Sequence, residues 1–238
     1  MSERPVAIVT GASRGIGRAV ALYFAKQGYD VALIAQNQQA LESLEQEIMA
    51  LDNGVKTKGF ALDVSQLSEV EAAVSRIMAG HGRIDVLFNS AGIAYGGNAN
   101  IAPEQFDRLF QVNVTGTYNM IHSIVPIMQQ QKSGYIMNLS STAGLRAVPS
   151  AGAYSASKFA ITGYSESLLK ELSADNIKVT AICPSVTNTD MTQSFDIPNE
   201  IKLSVDDLVT TVDYLLKLGP NAVVKSIAVY CMAMAQTF

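Results

Sequence analysis

Seven short segments of this chain read as strands, six of them apolar almost from end to end and 56–61 opening on Lys-Thr-Lys, and stretches of helical periodicity fall between them. The segments are 6–10, 31–35, 56–61, 86–89, 135–139, 179–183 and 227–229. A strand with one wet face alternates polar and apolar residues, whereas a strand that is apolar on both faces must be covered on both. Such strands alternating with helices imply a parallel sheet between two helix layers, linked by right-handed crossovers. The expected fold is a doubly wound α/β domain with a seven-stranded parallel sheet, a single unit over residues 1–238.

Helical patterns cover 14–27, 38–51, 65–79, 103–115, 118–131, 154–172 and 205–216. Gly28 is placed to end the first, and Ser65 to cap the third. Pro103 suits a first turn, and Ser204-Val205-Asp206-Asp207 reads as a capping box. No linker, internal repeat or low-complexity tract interrupts the series.

Composition narrows the partners. A net charge of −4 leaves no basic footprint for nucleic acid. No apolar run reaches the ~20 residues of a membrane span, and the run at 6–9 is too short for a signal peptide. Cys183 and Cys231 lack CxxC spacing and read as reduced packing residues of a cytoplasmic protein. His81 and His122 are too few and too scattered for a metal site. A mean hydropathy of +0.19 fits a sheet buried on both faces, or surface buried between subunits.

Thr10-Gly11-Ala12-Ser13-Arg14-Gly15-Ile16-Gly17 joins the first strand to the first helix. Glycines there permit a tight turn and close approach to a pyrophosphate, which the free N–H groups of the helix start would hold. The spacing is G-x-x-x-G-x-G rather than G-x-G-x-x-G. Its place after the first strand favours a nucleotide loop over a plain turn. The same residues also fit G-x-S-x-G, a hydrolase nucleophile elbow centred on Ser13. That reading needs a histidine, and His81 in a Gly-His-Gly turn and His122 within a helix are poorly placed.

Tyr154 and Lys158 stand four apart at the start of a helix and share one face. A phenol with pKa near ~10 needs help to move protons at neutral pH, and a nearby cation favours the phenolate. Ser141 lies at the carboxyl end of a strand, where a hydroxyl can hydrogen-bond a substrate oxygen. Alone, YxxxK is a common pattern without meaning, and a loop serine often caps a turn.

Together these residues resemble the short-chain dehydrogenase/reductase family. The glycine loop, Asp63, Asn89-Ser90-Ala91-Gly92, Asn113, Ser141, Tyr154 and Lys158 fall in family order and spacing, from residue 6 to about 191. The resemblance implies a Rossmann-type fold and an oxidoreductase that passes hydride between NAD(P)(H) and an alcohol or carbonyl. Tyr154 would be the acid–base, Lys158 would hold the nicotinamide ribose and depress the Tyr154 pKa, and Ser141 would polarise the carbonyl. The family serine lies thirteen positions before the tyrosine, which selects Ser141 over Ser140. Asn113 would hold a water in a proton relay. Gly11, Ser13, Arg14, Gly15, Ile16 and Gly17 would cradle the cofactor. Asp63 would contact the adenine with Val64 beside it, and Asn89, Ala91 and Gly92 would line the adenosine side. Pro184 and Thr189 match the family segment after the sixth strand, although Ser185 replaces its glycine and Thr187 its valine.

The second strand ends in Ala35-Gln36-Asn37, without the acid that binds a ribose 2′-hydroxyl, and Arg14 can pair a 2′-phosphate. NADP is therefore preferred to NAD. Residues 190–203 would form a short substrate lid carrying Met191, Phe195 and Ile197. The N-terminal motifs are most like 3-oxoacyl-carrier-protein reductases. The chain lacks their Gly-Gly tail, and Asp175 stands where a carrier-docking basic residue is expected near the site. These departures rank reduction of a free small carbonyl or alcohol substrate first and carrier-protein reduction second. A non-catalytic dinucleotide sensor is the reading from another class. The resemblance also implies a homodimer or homotetramer associated through helices at about 104–131 and 154–172.

Overall fold

A computed structural model describes residues 4–237. Seven parallel strands form one sheet in the order β3-β2-β1-β4-β5-β6-β7. They are β1 Val6–Thr10, β2 Asp30–Ala35, β3 Thr57–Ala61, β4 Val86–Asn89, β5 Gly134–Leu139, β6 Ile177–Pro184 and β7 Ser226–Val229. The helices are α1 Gly15–Lys26, α2 Gln38–Met49, α3 Leu67–His81, α4 Pro103–Phe110, α5 Gly116–Gln131, α6 Gly152–Leu172 and α7 Val205–Lys217. This is the doubly wound Rossmann-type α/β fold. Its strand order reverses between β1 and β4, the switch point where such sheets bind ligands beyond their carboxyl ends.

The apolar strands follow from two covered faces. Within β1, Ala7 and Val9 join one core with Val20 and Phe24 of α1, Leu41 and Leu44 of α2, and Leu208 and Val212 of α7. Val6 and Ile8 join the other with Val70 and Val74 of α3, Met120 and Ile124 of α5, and Leu168 of α6. Burying each large side chain contributes roughly 1.5–3 kcal/mol, so neither face tolerates a polar substitution in the central strands.

Most helix boundaries fall within two residues of expectation. Gly28 follows α1 at φ 85°, and Ser204 and Asp207 form the expected capping box of α7. Two expectations need correction. Ser65 does not cap α3: the cap position is Gln66, and the Ser65 backbone N–H and hydroxyl both donate to the Asp63 carboxylate. The break expected between 115 and 118 is absent. Instead α4 runs through a single π-turn, Gln111–Thr115, into α5. Residues 190–203 hold two short 3-10 turns, Asp190–Thr192 and Asn199–Ile201. A short parallel bridge between Thr187 and Leu203 closes their base. Cys183 and Cys231 are buried and free.

Candidate active site

The carboxyl ends of β1 to β6 surround a cleft of about 510 Å³. Thr10 ends β1, and its hydroxyl accepts the backbone N–H groups of Ser90 and Ala91, each at 3.0 Å. This ties the glycine loop to the segment after β4. Gly11 has φ 66°, and a β-carbon there would lie 2.8 Å from the Ser90 carbonyl oxygen, so only glycine fits. At Gly17 a β-carbon would overlap the Gly11 carbonyl, and its absence lets α1 sit against the loop. The first turn of α1 has neither a side-chain cap nor an acidic residue. Its N–H donors are thus free of any competing carboxylate in that turn, and a pyrophosphate fits the cradle.

Gly11, Ser13, Arg14, Gly15 and Ile16 line the cleft, as do Asp63, Val64, Ala91, Gly92, Ser141, Tyr154, Lys158, Pro184 and Thr189. Three expected residues stand behind it. Gly17 is buried under the loop. Asn89 projects from the sheet face covered by α6, where its Nδ2 donates to Asn138 Oδ1 at 2.9 Å. Asn138 in turn donates to Ser165 of α6, and the buried Oδ1 of Asn89 has no partner among the described residues. Asn113 lies in the π-turn. Its Oδ1 accepts from Ile93 N at 2.8 Å, and its Nδ2 donates to Ile93 O at 3.0 Å and Ser157 Oγ at 3.1 Å. Both amide hydrogens are thus used and Oδ1 keeps one lone pair, so a relay water at Asn113 would have to donate to Oδ1 or to the main-chain carbonyl. The main-chain carbonyl accepts the Thr117 hydroxyl at 2.8 Å.

Tyr154 sits in the first turn of α6 and Lys158 one turn on. The Lys158 Nζ donates to Leu139 O at 2.7 Å and lies 5.7 Å from the Tyr154 ring centre. The Ser141 hydroxyl accepts the Ala143 backbone N–H at 3.1 Å and lies 3.4 Å from the Pro184 carbonyl, and it is close enough to the Tyr154 phenol to lower its pKa. Ser140 faces the other way. Its hydroxyl donates to Lys158 O at 3.0 Å and shares a 2.8 Å hydrogen bond with Thr162, bolting the serine loop to α6.

Burial pushes the Tyr154 phenol above its usual value, and the Ser141 hydroxyl offsets this only in part. The net direction for the Tyr154 phenol without cofactor is therefore upward. Burial also lowers the Lys158 ammonium to about 8, against a smaller opposing effect of Cys183. A phenol held neutral beside a hydroxyl and an ammonium is arranged to donate a proton to an oxygen in the cleft.

The second strand's end, Ile34 to Asn37, lines the cleft without a carboxylate, and Asn37 caps α2 by accepting from Ala40 N at 3.0 Å. Arg14 forms a 3.4 Å ion pair with Asp190 at the start of the lid segment. The sequence reading missed Arg108 of α4, which lines the cleft and pairs with Asp63 at 2.6 Å. No local pattern signals a contact between residues so far apart in the chain.

The hydrolase reading has no geometry behind it. His81 pairs with Asp30 at the amino end of β2, and His122 stacks on Tyr118. Among the described residues no cluster of His, Cys, Asp or Glu could hold a metal, and no helix is long and apolar enough to cross a membrane.

The family model for short chain dehydrogenases matches residues 5–199. The chain belongs to that family. It is accordingly an NAD(P)-dependent oxidoreductase acting on hydroxyl and carbonyl groups. It is 36% identical over 192 residues to a 3alpha-hydroxysteroid dehydrogenase of Mediterraneibacter gnavus, covering 80% of this chain and 77% of that one. It is also 36% identical over 198 residues to the 3-oxoacyl-[acyl-carrier-protein] reductase FabG of Staphylococcus aureus, covering 82% and 79%. A 3-ketoacyl-(acyl-carrier-protein) reductase from Brucella melitensis, solved with NADH, superposes with a TM-score of 0.88 at 30% identity over 96% and 97% of the chains. An alcohol dehydrogenase from the archaeon Thermococcus sibiricus, solved with 5-hydroxy-NADP, superposes at 0.89 and 27% identity over 97% of each.

One departure loses its weight here. Asp175 is not near the cleft: it precedes β6, while Pro184, at the far end of that strand, lines the cleft. The strand between them spans about 23 Å. Asp175 neutralises Lys132 at 2.6 Å on that opposite rim. Its charge is no argument against a carrier approaching the cleft, which removes one of the two departures that ranked carrier-protein reduction second.

Proposed function

We propose that this chain is an NADP(H)-dependent reductase of 3-oxoacyl thioesters, with Tyr154 as the proton donor. The observation that carries the reading is the convergence of Ser141, Tyr154 and Lys158 on one cleft with the glycine loop. Names of relatives favour the 3-oxoacyl substrate. Reduction of a free small carbonyl stands second, favoured by the lid segment, where Met191 and Phe195 are exposed and wall off little.

When bound, NADPH supplies the hydride; this chain does the rest. The Ser141 hydroxyl hydrogen-bonds the carbonyl oxygen and favours the charge growing there. Tyr154 gives its phenolic proton to the same oxygen as the carbonyl becomes an alcohol. Lys158 holds the nicotinamide ribose hydroxyls and stabilises the phenolate left behind, which is reprotonated from solvent by way of Lys158 and Asn113. Arg14 meets the 2′-phosphate, at a strand end that offers no repelling carboxylate. Thr189 steadies the nicotinamide end.

The reading places the enzyme in the cytoplasm as a homodimer or homotetramer. Support for association comes from Phe106 of α4, Tyr118 of α5 and Phe159 of α6, which are exposed on the helices the family uses.

The test is NADPH oxidation by purified protein on acetoacetyl-CoA against a panel of small ketones. Tyr154→Phe should lower kcat at least ~100-fold, the usual scale of general acid catalysis, and leave NADPH affinity within about twofold. Full activity in that variant refutes the mechanism. Tight NADPH binding with no turnover on any substrate favours the sensor reading instead.

A further inference from the structure

Asp63 stands just beyond β3, on the wall of the cleft, and its carboxylate is nearly filled. Its Oδ1 accepts both the Ser65 backbone N–H at 2.9 Å and the Ser65 hydroxyl at 2.8 Å. Its Oδ2 accepts from Arg108 Nη2 at 2.6 Å. A carboxylate offers about four acceptor positions, so the one left open lies on Oδ2. Arg108 does more than occupy the adjacent lone pair. Its Nη1 donates to the Ser65 hydroxyl at 3.1 Å, so the planar guanidinium spans both members of the turn and locks them from α4.

We propose that Arg108 is a positioning residue for the dinucleotide: it fixes the open acceptor position of Asp63 Oδ2 toward the amino group of the adenine. The inference rests on the cofactor reading above and names the residue that makes its adenine end selective. Without the guanidinium the Asp63 side chain keeps its Ser65 bonds but loses the partner that sets the angle of Oδ2. Water then competes for that oxygen, and the preorganised acceptor is gone. Arg108 acts here through Asp63 and not as a phosphate ligand, which gives it a distinct signature.

The experiment compares NADPH with its hypoxanthine analogue, in which an oxygen replaces the adenine amino group, by fluorescence titration and steady-state kinetics. The native protein should bind NADPH about tenfold more tightly than the analogue, the scale of one charge-assisted hydrogen bond. Arg108→Ala should bring NADPH to the level of the analogue, leave the analogue's own Kd unchanged, and keep kcat at saturation. Arg108→Lys retains the charge without the fork and should behave like Arg108→Ala, which also guards against a variant that fails to fold. Equal weakening of both cofactors marks a merely structural role and overturns the proposal. So does a fall in the NADPH-to-NADH affinity ratio, which marks a phosphate contact. Native protein that binds NADPH and the analogue equally also overturns it. Native protein that binds no dinucleotide overturns the cofactor reading itself, and the role of Arg108 falls with it.

Discussion

The proton on Lys158 should be coupled to cofactor binding, and the coupling has a size. Lys158 is 6% exposed, and among the described residues the hydrogen bond its Nζ makes is to the Leu139 carbonyl. Burial lowers the ammonium from 10.5 to about 8, which corresponds to roughly 3 kcal/mol held against the charged form. A bound dinucleotide brings negative charge and two ribose hydroxyls to that ammonium and restores it toward ~10.4. The sign follows directly. The free protein sheds the proton through pH 8 while the complex keeps it, so binding above pH 8 takes up a proton and weakens as pH rises. Between pH 7 and pH 9 the NADPH Kd should rise about tenfold. Few other groups titrate in this window. Burial pushes the Tyr154 phenol and the Cys183 thiol up, and a 2′-phosphate titrates near ~6. Titration calorimetry at pH 7, 8 and 9, in buffers of different ionisation heat, reads both the Kd and the proton count. Lys158→Met should bind more weakly at pH 7 and lose the dependence. A flat native profile, or a Lys158→Met profile that falls in parallel with the native one, refutes the reasoning.

Asp190→Asn should raise the preference for NADPH over NADH two- to fourfold by freeing Arg14. The pair spans 3.4 Å between groups 71% and 53% exposed, and exposed pairs are weak, about 1 kcal/mol or less. Paired fluorescence titrations with the two cofactors measure it, and an unchanged ratio sinks the link between Arg14 and the lid. Gly17→Ala forces a β-carbon against the Gly11 carbonyl, a collision that costs about 1–3 kcal/mol. Its Tm should fall by roughly 3–10 °C and its NADPH affinity with it. A variant with native Tm would show that the loop has room to shift.

The central strands were legible because a sheet covered on both faces leaves them no polar register to confuse with a helix, whereas the edge strands β3 and β7 are partly exposed. Tyr154 and Lys158 were legible because four residues on a helix make one face. The π-turn was not, because an i→i+5 bond adds one residue without altering composition, and Gly116-Thr117 imitates a break. Ser65 was read as a helix cap because serine at a helix start usually is one, yet Asp63 two residues earlier offers a charged acceptor to both its donors. Asn89 follows the family motif into the neighbourhood of the cofactor. Its side chain, however, lies on the sheet face covered by α6, as the strand's alternation places it. Arg108 was invisible because only folding brings α4 to the end of β3.

The π-turn also sets how this enzyme can change length. An α-helix advances 100° per residue, so one residue removed between 111 and 115 would swing all of α5 by more than a quarter turn relative to α4. Within that slip Asn113 holds the Ile93 backbone. Beyond it, Asn119 donates to the carbonyl of Val64, a residue of the cleft wall, at 2.9 Å. The two ends of the cleft are thus phased to each other by a single surplus peptide. A deletion anywhere in that helix, however far from a ligand, would move one end out of step with the other. Chains descended from this one should accept insertions in the 190–203 loop while keeping the count of residues from 103 to 131 fixed.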